Sequence, residues 1–131
     1  VYLDHVTDFL LRAGQRGVYV MLSMRRFPSV ARYQQLCKSP DPMVTGANRE
    51  YLAPGWIQAK TQYLGDFLVE IRRRNPVALK AVFAIDIQNE LCFYPGAKPF
   101  SLSEGRFTAY YGTTYDLATQ KQELADDAAI R

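Results

Sequence analysis

The sequence predicts an α/β fold with parallel strands, and within that class a (β/α)8 TIM barrel. Three observations carry the expectation. Stretches of helical periodicity alternate with short apolar runs, in the order helix, strand, long loop, helix, strand, long loop, helix. Regular βα alternation of this kind implies parallel strands with right-handed crossovers. The second strand-like run, Lys80 to Leu91, turns polar all at once at its end, on Gln88, Asn89 and Glu90. Both strands are followed by irregular stretches longer than the ~12–15 residues common in compact domains, and such loops are usually functional or disordered.

Leu3, Val6, Phe9, Leu10 and Ala13 recur at helical spacing, with Gly14 and Gly17 as a stop. Asp4, His5, Asp8 and Arg12 fall outside that stripe, and the single histidine reads as a solvated surface residue. Val18 to Met24 is a continuous apolar run of the kind buried in parallel sheets. From Arg25 to Pro54 the chain is irregular, with a short helix over Val30 to Lys38. Helical periodicity returns from Trp56 to Arg74, with Ile57, Tyr63, Leu64, Phe67, Leu68 and Ile71 on the buried side, and Asn75-Pro76 ends it. Cys92 to Gly112 is again irregular. Thr113 or Thr114 then caps a last helix that lines up Leu117, Lys121, Leu124 and Ala128.

The Lys80–Leu91 run is β-branched and aromatic, and it lies between Pro76 and Pro95, which suits a strand better than a helix. Alternation puts Phe83, Ile85 and Ile87 on one face, bulky enough to receive helices. Val82, Ala84, Asp86, Gln88 and Glu90 fall on the other. An open doubly wound sheet is covered on both faces and wants both apolar. A face carrying Asp86, Gln88 and Glu90 fits a barrel interior near the end where active sites lie.

Composition narrows the function classes. The chain has 131 residues, 48% hydrophobic and 22% charged, enough for one domain with a core. A net charge of +3 is too mild to imply nucleic acid as a partner. The basic cluster Arg72-Arg73-Arg74 sits at a helix end, where it complements the dipole. No run reaches the ~18 apolar residues of a membrane span, and no signal peptide is visible. The helical pattern already under way at Val1 and the uncapped end at Ile130-Arg131 read as a segment cut at both ends. The compartment stays open. With no CxxC, no HxxxH and no carboxylate–histidine cluster, no metal is expected; with no phosphate loop or GxSxG elbow, no cofactor or serine nucleophile is expected either.

Glu90 is the first candidate for chemistry. A glutamate at the C-terminal end of a parallel strand, beneath two loops, can be shielded enough to raise its pKa, as a general acid near neutrality requires. Asn89 beside it can hydrogen-bond a substrate hydroxyl. The same pair also suits a turn carboxylate capping a helix. Aromatics of the loops offer faces on which sugar rings stack, Phe93 and Tyr94 first among them, with Phe27, Tyr33, Tyr51, Trp56, Phe100, Tyr110 and Tyr111 behind. Each also suits ordinary loop packing. Arg25 and Arg26 suit either an acidic or hydroxyl-rich substrate or plain solvation. Cys37 and Cys92 both fall in loops of the same expected face, as a disulfide of a secreted enzyme or as free thiols.

Val82 to Glu90, ending in Asn-Glu, resembles strand four of the clan A retaining glycoside hydrolases, in particular the cellulase-like glycoside hydrolase family 5. The Tyr63–Ile71 helix with Asn75-Pro76, the Gly17-Val-Tyr-Val-Met-Leu strand, Phe107 and the Gly112-Thr-Thr-Tyr-Asp-Leu run add to the likeness. The resemblance covers nearly the whole chain, from about helix 2 to helix 4, so that residues 1–131 form one partial barrel domain. It implies hydrolysis of β-linked oligo- or polysaccharide, with Glu90 as acid/base and Asn89 on the sugar 2-hydroxyl. The nucleophile, a glutamate on strand seven, falls beyond Arg131, so the remainder of the barrel is needed; a full barrel takes about 250 residues. Strand three ends Ser23-Met24-Arg25-Arg26-Phe27-Pro28, without the histidine often found there, which leaves the subgroup and substrate open. Asp86 reads as an interior hydrogen-bonding residue rather than a partner for Glu90. The competing readings are a non-catalytic carbohydrate-binding or structural protein on the same scaffold, and a flavodoxin-like module in which Asn89-Glu90 is incidental.

Overall fold

The computed structural model describes residues 1–24, 28–38, 41–87 and 91–130. Its elements in chain order are α1 (Tyr2–Gln15), β1 (Val20–Ser23), α2 (Ala31–Cys37), α3 (Arg49–Leu52), α4 (Pro54–Arg74), β2 (Val82–Asp86), β3 (Arg106–Thr108), β4 (Thr114–Asp116) and α5 (Lys121–Ile130), with 3-10 turns at Gly46–Asn48 and Ala78–Ala81. They fall into two compact units, one of Val1–Pro28 and Lys60–Asn89, the other of Ser29–Ala59 and Glu90–Arg131.

The first unit contains the parallel pair β1–β2. α1 buries Thr7, Leu10 and Ala13, and Leu3 and Val6 pack beside them. The Thr7 hydroxyl donates to the Leu3 carbonyl at 2.7 Å, so its burial leaves no donor unmet. Phe9, expected in the stripe, is 59% exposed, because the line through residues 3, 6, 10 and 13 passes one position to its side. The helix ends as its glycines predict. Gly17 takes φ +65 and donates to the Gly14 carbonyl, while Val18 donates to that of Ala13 at 2.9 Å, the paired bonds of a Schellman motif.

On α4, Phe67 and Ile71 are buried against Leu10 and Ala78, with Tyr63 and Leu68 packed around them. Arg74 bonds Glu70 at 2.6 Å and Asp4 of α1 at 2.8 Å, tying the two helices at their edges. The α-amino group first and then Arg74 hold the Asp4 carboxyl down at about 2. Asn75-Pro76 ends α4 as expected, and the Asn75 side chain accepts the Val77 N–H at 3.0 Å to start the 3-10 turn. That turn takes in Lys80, so β2 is shorter than the apolar run. Ala78 and Ala81 of the turn are buried.

One irregularity changes the expected faces of β2. Val20 pairs with Val82, but Met21 pairs with Ala84, so Phe83 is one residue more than its partner strand matches. Beyond it Leu22 faces Ile85 and Ser23 faces Asp86. Val82 therefore joins Val20 and Leu22 on the helix-packed side, where alternation alone had put it on the opposite face. Phe83 is 65% exposed instead of helix-covered, and Ile87 is 58% exposed. Ile85, Ala84 and Asp86 keep the sides that alternation gave them.

In the second unit Val44, Leu52, Ala53, Phe107, Ala109, Tyr115, Leu117 and Leu124 form a buried cluster. The last third corrects the sequence reading. Thr113 and Thr114 do not cap a helix; β3 and β4 form an antiparallel hairpin, Arg106 with Asp116, Phe107 with Tyr115 and Thr108 with Thr114. The Thr108 and Thr114 hydroxyls bond across it at 2.9 Å, and Gly112 turns it at φ +89. β-Branched and aromatic residues at 113–115 favour extension, and alternation puts Phe107 and Tyr115 together on the buried face. The helix begins only at Lys121. Asp116 accepts from the Ala118 N–H at 2.8 Å, and its carbonyl accepts from Gln120 at 2.7 Å. Leu117 and Leu124 are fully buried as expected, the former from the turn rather than from the helix.

Candidate functional site

β1 and β2 run parallel, so both C-terminal ends lie at one edge of the pair. There the Ser23 hydroxyl donates to Asp86 Oδ2 at 2.9 Å, and the Met24 N–H donates to the Asp86 carbonyl at 2.8 Å. Both side chains sit on the face turned away from the helix-packed residues. Asp86 thus has a hydrogen-bond partner in a serine that the sequence did not single out, and the bond is exposed rather than interior. Asn89 and Glu90, the predicted sugar-contacting and acid/base residues, lie outside the described residues, as do Gln88, Arg25, Arg26 and Phe27.

The loops expected to follow the two strands meet each other within the second unit, and Asn48 joins them. This asparagine is fully buried. Its Nδ2 lies 3.0 Å from the carbonyls of Tyr94 and Ala97 and 3.2 Å from that of Lys98. Its Oδ1 accepts the Tyr94 N–H at 2.8 Å. The amide orientation follows from these partners, since three carbonyls require a donor and the N–H requires an acceptor. Thr45 adds two bonds to Lys98, its N–H donating to the carbonyl at 3.1 Å and its hydroxyl accepting the N–H at 2.9 Å. Fully buried Val44 and Leu52 anchor the strut on either side.

The two predicted loop aromatics therefore differ. Phe93 packs into the cluster, its ring 5.6 Å edge-on from Tyr51 and 5.0 Å from Phe100. Tyr94, its backbone fixed by Asn48, leaves its side chain 55% exposed. Of the others, Tyr33 is buried, Trp56, Tyr51 and Phe100 are half-buried against the cluster, and Tyr110 is 42% exposed, edge-on to Tyr111.

Tyr115 lies at the base of the hairpin with its hydroxyl donating to Asp127 at 2.5 Å and 2.9 Å from that of Tyr111. Burial first, then the bonds to Asp127 and Tyr111, push its phenol well above the usual range. Cys37 and Cys92 are free thiols, and burial raises that of Cys37. Among the described residues no group of His, Cys, Asp and Glu could hold a metal ion, and no helix is long and apolar enough to cross a membrane. His5 is exposed. A cavity of about 410 Å³ lies between the end of α1, the start of β1 and the 3-10 turn, lined by Leu10, Leu11, Tyr19, Val77 and Lys80. It is at the opposite ends of the strands from Ser23 and Asp86.

Sequence reasoning missed Ser23 and Asn48 for different reasons. Ser23 was the first polar residue after an apolar strand, a signal visible in the sequence. Asn48 carries no such signal, because its partners lie 46 to 50 residues away. No protein-family model matches the chain, and no curated protein or solved structure matches it.

Proposed function

We propose that this chain is part of a retaining β-glycosidase of the family 5 type, a (β/α)8 barrel enzyme acting on a β-linked oligo- or polysaccharide. The observation that carries the reading is the polar end of the parallel pair. Ser23 and Asp86 bond across it on the face opposite the residues packed against α1 and α4, and Asn89 and Glu90 follow within four residues of sequence. In such barrels residues at the C-terminal ends of strands do the chemistry. Glu90 protonates the departing glycosidic oxygen and then, as carboxylate, takes a proton from the water that releases the sugar. Asn89 holds the 2-hydroxyl. The nucleophile is a second glutamate outside these residues, with the two carboxyls about 5–5.5 Å apart for retention.

Glu90→Gln in the full-length native protein tests this. Hydrolysis of ordinary oligosaccharides should fall by about 10²–10⁴-fold, the usual worth of general acid catalysis. Aryl glycosides whose leaving group needs no protonation should retain partial turnover. Unchanged turnover of both overturns the assignment. Carbohydrate binding without hydrolysis by the native protein would instead select the non-catalytic reading.

A further inference from the structure

Small residues leave a hollow where α1 ends. Gly14 and Gly17 add no side chain there and Ala81 only a methyl, and between them lies the cavity of about 410 Å³. Sites for small molecules usually span about 300–1,000 Å³. Backbone bonds set both walls. On one, Gly17 and Val18 donate their N–H groups to the carbonyls of Gly14 and Ala13. On the other, Val77 donates to the Asn75 side chain and Lys80 donates to the Val77 carbonyl, each at 3.0 Å. These N–H groups are spent, so the polar contacts of an occupant fall to side chains.

The lining is apolar with a single charge. Leu10, Leu11, Val18 and Val77 supply aliphatic surface, Lys80 is the one charged residue, and no carboxylate lines the cavity. Val18 and Val77 stay 52% and 54% exposed, apolar surface that a bound hydrocarbon would remove from water. One point charge beside aliphatic walls complements a monoanion with an apolar tail. The Gln15 amide, also in the lining, is a donor suited to the second oxygen of a carboxylate. We infer that this cavity binds a small apolar carboxylic acid as its anion, the tail against the leucines and valines and the carboxylate at Lys80. The site is separate from the glycosidase reading and lies at the strand ends opposite Ser23 and Asp86.

The test titrates the full-length native protein with 4-phenylbutyrate and with its uncharged counterpart 4-phenylbutyramide, followed by ligand-observed NMR. The acid should bind with a Kd on the order of 1 mM. The amide should bind about three- to fivefold more weakly, the worth of one partly solvated ion pair. Lys80→Gln should bring the acid down to the level of the amide and leave the amide unchanged, whereas Lys80→Arg should keep the difference. Val77→Trp, at an exposed position of the rim, covers the mouth and should weaken both ligands about fivefold or more. Raising salt to about 0.5 M should erase the advantage of the acid. No saturable binding up to about 10 mM overturns the inference. Equal affinity for acid and amide, an advantage that survives Lys80→Gln, or binding indifferent to Val77→Trp overturns it as well. Loss of hydrolysis in Glu90→Gln has no bearing on these affinities, so the two readings stand or fall separately.

Discussion

Tyr115 shows how much a single side chain decides in the second unit. Its ring is buried under the hairpin, and its hydroxyl joins Tyr111 to Asp127 of α5. Tyr115→Phe keeps the ring and removes one partner from each neighbour, and should destabilise the protein by about 1–2 kcal/mol. The pH dependence has a definite sign. Unfolded tyrosine loses its proton near about 10, whereas in the fold burial and Asp127 keep the phenol protonated to higher pH. Tyr115 therefore gives its full stability below about 10, and that stability is lost as pH rises towards the higher folded value. Urea unfolding at stepped pH should show the advantage of the native protein over Tyr115→Phe narrowing above that point. An advantage constant across the range would mean that the phenol titrates normally.

Among the elements, α4 contains two glycines with opposite consequences. Its first turn starts with Pro54 at a position where the missing N–H is no loss, followed by Gly55. A Cβ on Gly55 would stand 2.1 Å from the Leu36 carbonyl oxygen near the end of α2, so only glycine allows that approach. Gly55→Ala should cost about 2–4 kcal/mol, a value at the upper end for single substitutions. Gly65 lies in the exposed middle of the same helix, where a Cβ would meet no described atom within 4 Å. Gly65→Ala should raise stability by about 0.5–1 kcal/mol through helix propensity alone. Thermal unfolding of the two variants side by side checks both signs, and equal shifts would contradict the packing argument.

For the molecule as a whole, the face of β1–β2 turned from the helices matters most. Tyr19 is 71%, Met21 56% and Phe83 65% exposed, and among the described residues β1 and β2 pair only with each other. Parallel sheets are ordinarily covered on both faces, and large bare apolar areas with open strand edges promote association. The 131-residue chain produced alone should therefore self-associate as concentration rises, and Met21→Lys with Phe83→Lys should suppress this. Sedimentation velocity across a concentration series checks it; a monomer at every concentration would show that the face tolerates solvent.

The sequence by itself determined α1, α2 and α4, the parallel strand pair, the stop at Gly17 and the break at Asn75-Pro76. These follow from local rules, apolar periodicity and the torsional preferences of glycine and proline. It also marked Asp86 as a polar residue needing a partner, because its alternation position is local too. Only the tertiary structure decided the rest. The extra residue at Phe83 depends on pairing with β1, which no reading of β2 alone contains. The hairpin displaced the expected start of the last helix because Tyr115 gains a buried partner in Phe107 eight residues earlier. Asn48 became visible only when its partners, some fifty residues on, closed around it. Periodicity records what a residue needs from the solvent, whereas a hydrogen bond between distant loops is specified by where the backbone folds back.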